Sequence, residues 1–335
     1  MNAATAMQAG TTGVAAGCAG RVAATLLALA CAGVAAAQQG YPSRPIRAVV
    51  AFGPGGISDT IGRLAGVKMA ERLGQSIVID NRPGAGGALA ARIVANASPD
   101  GHTLLITTTA LAVSPSTVKD AVNPVTQLVP VANTAAAPTV IVVHANVTTR
   151  SLMEFVRNTK GGRFTFSSAG VGTTEHLTGE YLFKSVPGLQ ATHVPYPGGI
   201  ATVAAVVANQ VDLSVTTVPT GYPLIRDGRV RAIAMASRKR LAVLPDVPTV
   251  AEAGFPEFEN ASWVGWFAPM GTPAAVVARL NAEANAAIRQ PDVRDRLALI
   301  GFEPQSGSVA EFTRFVQEEV AKWANVVKAT GYSAN

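Results

Sequence analysis

IRAVVAFGPGGISDTIGRLAGVKMAERLG, residues 46–74, is the stretch whose reading decides the fold. Its opening, Ile46–Phe52, is a continuous apolar run of strand length. Strands with apolar residues at successive positions are buried on both faces, as in parallel sheets covered by helices. From Asp59 to Leu73 the apolar residues recur at helical spacing, and Gly74 supplies a stop. Between them lies the turn Gly53-Pro54-Gly55-Gly56. Strand, glycine turn and helix together make one βα unit.

The alternation continues outward. Strands are predicted at Ser76–Ile79, His102–Thr108, Val140–Val143, Phe164–Ser167, Thr192–Val194, Val211–Val215, Val230–Ala236 and Trp263–Ala268. Helices are predicted at Leu89–Asn96, Ser151–Lys160, Thr174–Lys184, Ile200–Asn209, Ala274–Gln290 and Val309–Ala329. Gly271-Thr272 reads as a cap ahead of Pro273, and Trp263 and Trp266 read as core aromatics. At least two βα sets follow one another, so the fold class is α/β, with two lobes and parallel sheets covered on both faces.

Composition narrows the function. Residues 1–37 hold a single charge, Arg21, followed by the apolar run Val22–Ala32 and then Ala35-Ala36-Ala37. That order describes a secretory signal cleaved after Ala37, with a run too short to span a bilayer. A periplasmic location follows as the expectation. Both cysteines, Cys18 and Cys31, lie inside this segment, so no disulfide, Cys-ligated zinc or thiol nucleophile belongs to the mature chain. The formal charge is +6, yet bases and acids are interspersed and aromatics make up 6%. Arg238-Lys239-Arg240 is the only tight basic cluster. A nucleic-acid partner is therefore not expected. A mildly positive protein attracts anions.

Three glycine-rich loops stand at strand-to-helix junctions: Gly53–Asp59, Asn81–Gly87 and Ser167–Thr173. Ligands in open α/β sheets bind beyond the carboxyl ends of strands, and a helix start offers unpaired N–H groups with a partial positive charge. Two such loops facing each other would hold a carboxylate from both sides. None matches a phosphate cradle or a dinucleotide fingerprint. No nucleophile elbow or metalloprotease motif is present, and the histidines His102, His144, His176 and His193 are scattered in sequence. His176 and Glu180 share a helix face, but no further ligand pattern supports a metal. No cofactor, no metal and no catalytic residue are expected. Thr107 and Thr108 follow a strand and are candidates for hydroxyl contacts.

At these loops the chain resembles the Bug (Bordetella uptake gene) family, the TctC-like substrate-binding components of tripartite tricarboxylate transporters. The resemblance runs from Tyr41-Pro-Ser-Arg-Pro-Ile-Arg through Pro54-Gly-Gly-x-x-Asp59, Asn81-Arg-Pro-Gly-Ala-Gly-Gly87 and Pro99-Asp-Gly-His-Thr-Leu-Leu105. It continues through Ser168-Ala-Gly-x-Gly172, His176-Leu177, His193-Val-Pro-Tyr196, Leu244-Pro-Asp-Val-Pro-Thr-Val-Ala-Glu-Ala-Gly254 and Ala268-Pro-x-Gly-Thr-Pro273. It implies a type II periplasmic binding protein fold, two α/β domains joined by crossover strands with a ligand cleft between them. The implied domains are residues 41–138 with 262–335, and residues 139–261.

Membership would make the chain a monomeric, non-enzymatic binding protein. It would capture a small carboxylate, a di- or tricarboxylate or an aromatic acid, and deliver it to membrane permease subunits. A ligand-sensing subunit for a signalling receptor and an exported enzyme are the alternatives. The implied contacts come from Phe52, Gly55, Gly56, Ile57 and Asp59 on the first loop and from Ser168, Ala169, Gly170, Gly172 and Thr173 on the third. His176 is expected beside them. Thr216 stands where members that bind amino acids often carry an acid.

Overall fold

The computed structural model describes residues 40–159, 162–184, 186–255 and 259–330. The chain divides into two units, Met1–Ser43 and Arg44–Asn335. Of the first, residues 40–43 are described, as turn and bends. The expected signal of residues 1–37, its cleavage after Ala37 and both cysteines lie outside the described residues.

In the second unit β1 (Ile46–Val50) leads through the glycine turn into α1 (Ile57–Leu73), which Gly74 ends in a left-handed conformation, φ 69°, its N–H bonded to the Ala70 carbonyl. Glycine is favoured there because a Cβ crowds the following carbonyl. Next come β2 (Ile77–Asn81), a short 3-10 turn (Ala85–Gly87), α2 (Ala88–Ala95) and β3 (Thr103–Thr108). The helix α3 (Ala110–Thr117) is an addition to the predicted elements and carries Pro115 in its interior. The Leu111 carbonyl, which Pro115 cannot serve, accepts the Ser114 hydroxyl at 3.1 Å instead.

The strand β4 (Leu128–His144) is 17 residues long, where the sequence pattern predicts only Val140–Val143. Ala-rich Pro130–Pro138 carries no strand signal of its own. It is drawn out by antiparallel pairing, with register shifts between Pro130 and Ala132 and between Asn133 and Ala135. The chain then runs through α4 (Leu152–Asn158), β5 (Arg163–Ser168), α5 (Thr174–Lys184), β6 (Gln190–Pro195), α6 (Gly199–Val207), β7 (Leu213–Thr217), α7 (Val218–Arg226) and β8 (Val230–Met235). It returns through β9 (Ala261–Pro269), α8 (Ala274–Arg289), α9 (Pro291–Leu299), β10 (Glu303–Pro304) and α10 (Val309–Thr330). Pro273 itself stands at the start of α8, and the Thr272 hydroxyl donates to the Pro269 carbonyl at 2.8 Å rather than capping.

The strands order as β2-β1-β3-β9-β4-β7-β5-β6, with β8 and β10 also paired to β4. The expectation of wholly parallel sheets is corrected. The pairs β1–β2, β1–β3, β5–β6 and β5–β7 are parallel, but β4 and β9 run antiparallel to their neighbours. The reason is that β4 carries the chain from one half of the sheet to the other and β9 takes up the return. Leu128–Pro138 pairs with β9, whereas Thr139–His144 pairs with β7 and β8.

Each half has its own core. One gathers Trp263, Phe267, Phe312 and Trp323 around β3, β9 and α10. Both indoles, Trp263 and Trp323, donate to the buried Glu319 carboxylate, at 3.1 and 3.0 Å. Trp266 is fully buried as well. In the other half Phe155, Phe164, Phe166 and Phe183 meet edge to face, with centroids 4.9–5.5 Å apart. Such pairs contribute about 0.5–1.5 kcal/mol beyond burial.

Asn260 pins the crossing. Its N–H donates to Ala236 and its carbonyl accepts from Thr139, while its buried side-chain amide donates to the Thr178 hydroxyl at 2.7 Å. Asn260→Ala leaves that hydroxyl without its partner, so urea unfolding is expected to show a loss of about 1–3 kcal/mol. A midpoint within error of the parent would show that the crossing is held by the strands alone.

Candidate ligand-binding cleft

The loop after β1 is shaped from behind. Asp59 is 3% exposed, and its Oδ2 accepts the Gly55 N–H at 2.9 Å. Asn81, from the end of β2, donates to the Phe52 carbonyl at 2.9 Å and to Asp59 Oδ1 at 3.0 Å. Arg63, one turn along α1, donates its Nε to both Asp59 oxygens. Burial pulls the Asp59 carboxyl upward, but the hydrogen bonds from Arg63, Gly55 and Asn81 outweigh it and hold it below its ordinary value. Gly55 itself takes φ 78°, a conformation that side chains resist.

The loop after β5 is shaped by hydroxyls and imidazoles. Ser168 Oγ donates to the Gly170 carbonyl at 3.1 Å and lies 2.7 Å from His193 Nε2. Thr173 Oγ1 donates to the same carbonyl at 2.8 Å and accepts the His176 N–H at 3.3 Å. The Gly172 N–H donates to His176 Nδ1 at 3.3 Å, so it is already engaged. The rings of His176 and His193 stack 4.0 Å apart. Burial and the charge of Lys184 push His176 down to about 4. Burial and His176 push His193 down to about 3, against the pull of Glu180. Both imidazoles are neutral near pH 7. His176 Nε2 lies 3.8 Å from Glu180 Oε1, and among the described residues no cluster of three metal-ligating side chains forms.

Between these loops lies a cavity of about 330 Å³. Phe52, Gly53, Pro54, Gly56, Ile57 and Ser58 form one wall, with Thr108 beside them. Ala169, Thr173 and Glu175 form part of the opposite wall. Two further segments complete it, Pro197–Ala201 at the start of α6 and Thr216, Thr217 and Thr220 at the start of α7. The helices α1, α6 and α7 therefore begin at one cavity, and none of the three has a side-chain cap. First-turn N–H groups have no intrahelical acceptor. The buried hydroxyls of Ser58 and Thr216, both on the cavity wall, also have no hydrogen-bond partner among the described residues.

Of the expected contacts, Phe52, Gly56, Ile57, Thr108, Ala169, Thr173 and Thr216 line the cavity. Gly55, Asp59, Ser168, Gly170, Gly172 and His176 do not, and are instead engaged in holding the loops. Thr107 precedes Thr108 in β3, where successive side chains leave opposite faces. The second glycine loop is not part of the wall. Gly86, at φ 62°, meets the Val171 carbonyl from across the cleft: a Cβ would stand 3.1 Å from that oxygen. Gly55 meets Ile200 and Gly172 meets Thr117 in the same way. These three glycines let the two sides approach.

Sequence reading missed Ser58, Glu175 and the starts of α6 and α7. Ser58 lay inside the Pro-Gly-Gly-x-x-Asp loop as an unnamed position. The other segments sit after β6 and β7 and carry the turn signals Pro197-Gly198-Gly199 and Pro219. Sequence reading also found no nucleophile–base pair, yet Ser168 and His193 form a hydroxyl–imidazole contact. Ser168 is fully buried and is not among the residues that line the cavity. The Arg238-Lys239-Arg240 cluster is partly neutralised, with Arg238 paired to Glu259 and Arg240 to Glu252.

The sequence profile described as TctC, tripartite tricarboxylate transporter family receptor, matches residues 61–332. Protein BugT of Bordetella pertussis is 33% identical over 310 residues, covering 90% of this chain and 95% of BugT. Among solved structures, MatC from Rhodopseudomonas palustris with bound malate is 37% identical, with a TM-score of 0.78 over 86% of this chain and 100% of that one. R. palustris Rpa4515 with adipate is 34% identical, with a TM-score of 0.81 over 87% of this chain and 98% of that one.

The Asp59 network makes a pH-dependent contribution to stability. A carboxyl whose folded pKa is depressed stabilises fully above its unfolded value, about 3.9, and loses that contribution as pH falls through the folded value. Asp59→Asn is expected to unfold at lower urea than the parent at pH 7. The gap is expected to close as the buffer is taken below about pH 4. A gap that widens on acidification would contradict the assignment.

Proposed function

The chain belongs to the TctC family of tripartite tricarboxylate transporter receptors, and from that premise we propose that it captures a small carboxylate in the cleft and presents it to membrane permease subunits. The observation that carries this reading is the convergence, among the described residues, of three uncapped helix starts and two unpartnered hydroxyls on one cavity without a basic side chain. Backbone N–H groups in that arrangement accept an anion directly. Malate in MatC and adipate in Rpa4515 set the size of ligand to try first. A periplasmic location, with a signal removed near Ala37, belongs to the same proposal.

Capture proceeds by closure. The halves on either side of the Thr139–Asn260 crossing swing together, and a ligand that bridges them favours the closed form. Reversing a mostly open equilibrium takes about 5.5 kcal/mol of differential binding. A hydrogen bond to a charged group contributes about 1.5–3 kcal/mol and a helix start about 0.3–1, or up to ~2 when partly buried. One wall alone falls short, whereas contacts from both reach the total. Ser58 and α1 act from one side, and Thr216, α6 and α7 from the other.

Thermal unfolding in the presence of malate, adipate, citrate and benzoate tests the reading. A ligand at a hundredfold above its Kd stabilises by about 2.7 kcal/mol, a plain rise in Tm. No response to any of them would sink the proposal. Ser58→Ala and Thr216→Val are expected to weaken the responding acid about tenfold to a hundredfold by calorimetry. Because neither hydroxyl has a partner among the described residues, their unliganded Tm is expected to stay level or rise. Equal affinity in both variants would remove the hydroxyls from the site.

A further inference from the structure

Glu175 is the one ionisable side chain on the cavity wall among the described residues. It is 7% exposed and sits in the first turn of α5. Thr174 Oγ1 donates to its Oε2 at 3.2 Å, and it forms no ion pair among the described residues. Among the described residues no Lys, Arg or His lines the cavity beside it. An anion entering this space therefore meets an acid with no cation to separate the two. Two carboxylates in a low-dielectric pocket repel, but a carboxylic acid and a carboxylate share a short, strong hydrogen bond.

We propose that Glu175 is a specificity-determining ligand contact: it offers the O–H of a neutral carboxyl to a carboxylate of the bound acid, so the cleft selects an anionic end over an ammonium end. The proposal rests on the carboxylate-capture reading above and adds the residue that chooses among acids. The physical setting supports it. Burial pushes the Glu175 carboxyl up, with its own backbone N–H and the Thr174 and Thr173 hydroxyls pulling the other way.

The surroundings leave Glu175 to titrate alone. The helix α5 packs on β5, β6, β7 and α10. Its own titratable residues are His176, Glu180, Tyr181 and Lys184, with Glu180 paired to Lys184. Arg163 starts β5, His193 lies on β6, and β7 has no titratable group. On α10 Glu319 is held by Lys322 and two indoles, and Glu311, Arg314, Glu318 and Lys328 are its other charges. None of these makes a hydrogen bond or ion pair with Glu175 among the described residues. His176 and His193, at about 4 and about 3, stay neutral in the range where an anion would be bound. Asp59, across the cleft, stays ionised.

Calorimetry with adipate, malate and ε-aminocaproate, which matches adipate in length but ends in an ammonium, tests this on the wild type, Glu175→Gln and Glu175→Ala. Gln keeps an N–H donor in the same place, so Glu175→Gln is expected to bind the dicarboxylates within about threefold of wild type, while Glu175→Ala loses about tenfold or more. Wild type is expected to prefer adipate to ε-aminocaproate. Unchanged affinity in Glu175→Ala overturns the proposal. So does a wild-type preference for ε-aminocaproate that Glu175→Gln abolishes, which would make the group an acceptor. Should Glu175→Ala not fold, the pH profile decides. A wild-type affinity that falls as the pH is raised and is level in Glu175→Gln supports the donor, and one that rises with pH overturns it. If wild type binds no carboxylic acid at all, it is the carboxylate-capture reading that fails.

Discussion

A helix start leaves backbone N–H groups that nothing inside the helix can satisfy, and burying them without an acceptor is costly. Much of the arrangement around the cleft follows from that constraint. The helices α1, α6 and α7 all begin at the cavity without a side-chain cap. A Ser or Asp at each N-cap would have closed those donors off. Glycine at the caps of α1 and α6 leaves them open and lets a small molecule come close to the backbone. Charge is then supplied by oriented peptide groups, which need no bulky cation in a space of about 330 Å³.

Open donors need rigid support, and the residues that hold the loops provide it. Asp59 ties Gly55 to α1 and, through Asn81, to the end of β2. Ser168, Thr173, His176 and His193 tie the third loop to β6 and α5. The polarity of the two supports differs for a physical reason. Asp59 keeps its charge because Arg63 and two further donors surround it. The imidazoles lose theirs because they are buried against each other. Neither support places a net positive charge on the cavity wall, so among the described residues Glu175 is left as the only wall residue whose protonation can change.

The long strand β4 decides how the two walls relate. It belongs to one half of the sheet up to Pro138 and to the other from Thr139. Pro138 has no N–H to donate and marks the change. Asn260 joins the outgoing and returning chains at the same level through Thr139 and Ala236. Glycines permit close approach across the cleft at Gly55, Gly86 and Gly172, where a Cβ would meet Ile200, the Val171 carbonyl or Thr117.

The βα alternation was legible from residues 46–74 outward because helix and strand periods are local. Gly74 stopped α1, and Thr174–Lys184 formed the predicted helix. Strand-end glycine loops were legible for the same reason, since a turn needs only its own residues. The first part of β4, α3 and α7 were not, because pairing and packing override weak or contrary local signals there. Nor could sequence spacing separate cavity wall from support within a single loop, where Ile57 and Ser58 face the cavity and Asp59 turns away to Arg63. Ser58, Glu175, Ile200 and Thr216 meet at one cavity although they lie far apart along the chain. Local sequence determined the turns that expose backbone donors, and the tertiary fold alone decided which of those donors share a space, because that depends on strand order and on where β4 crosses.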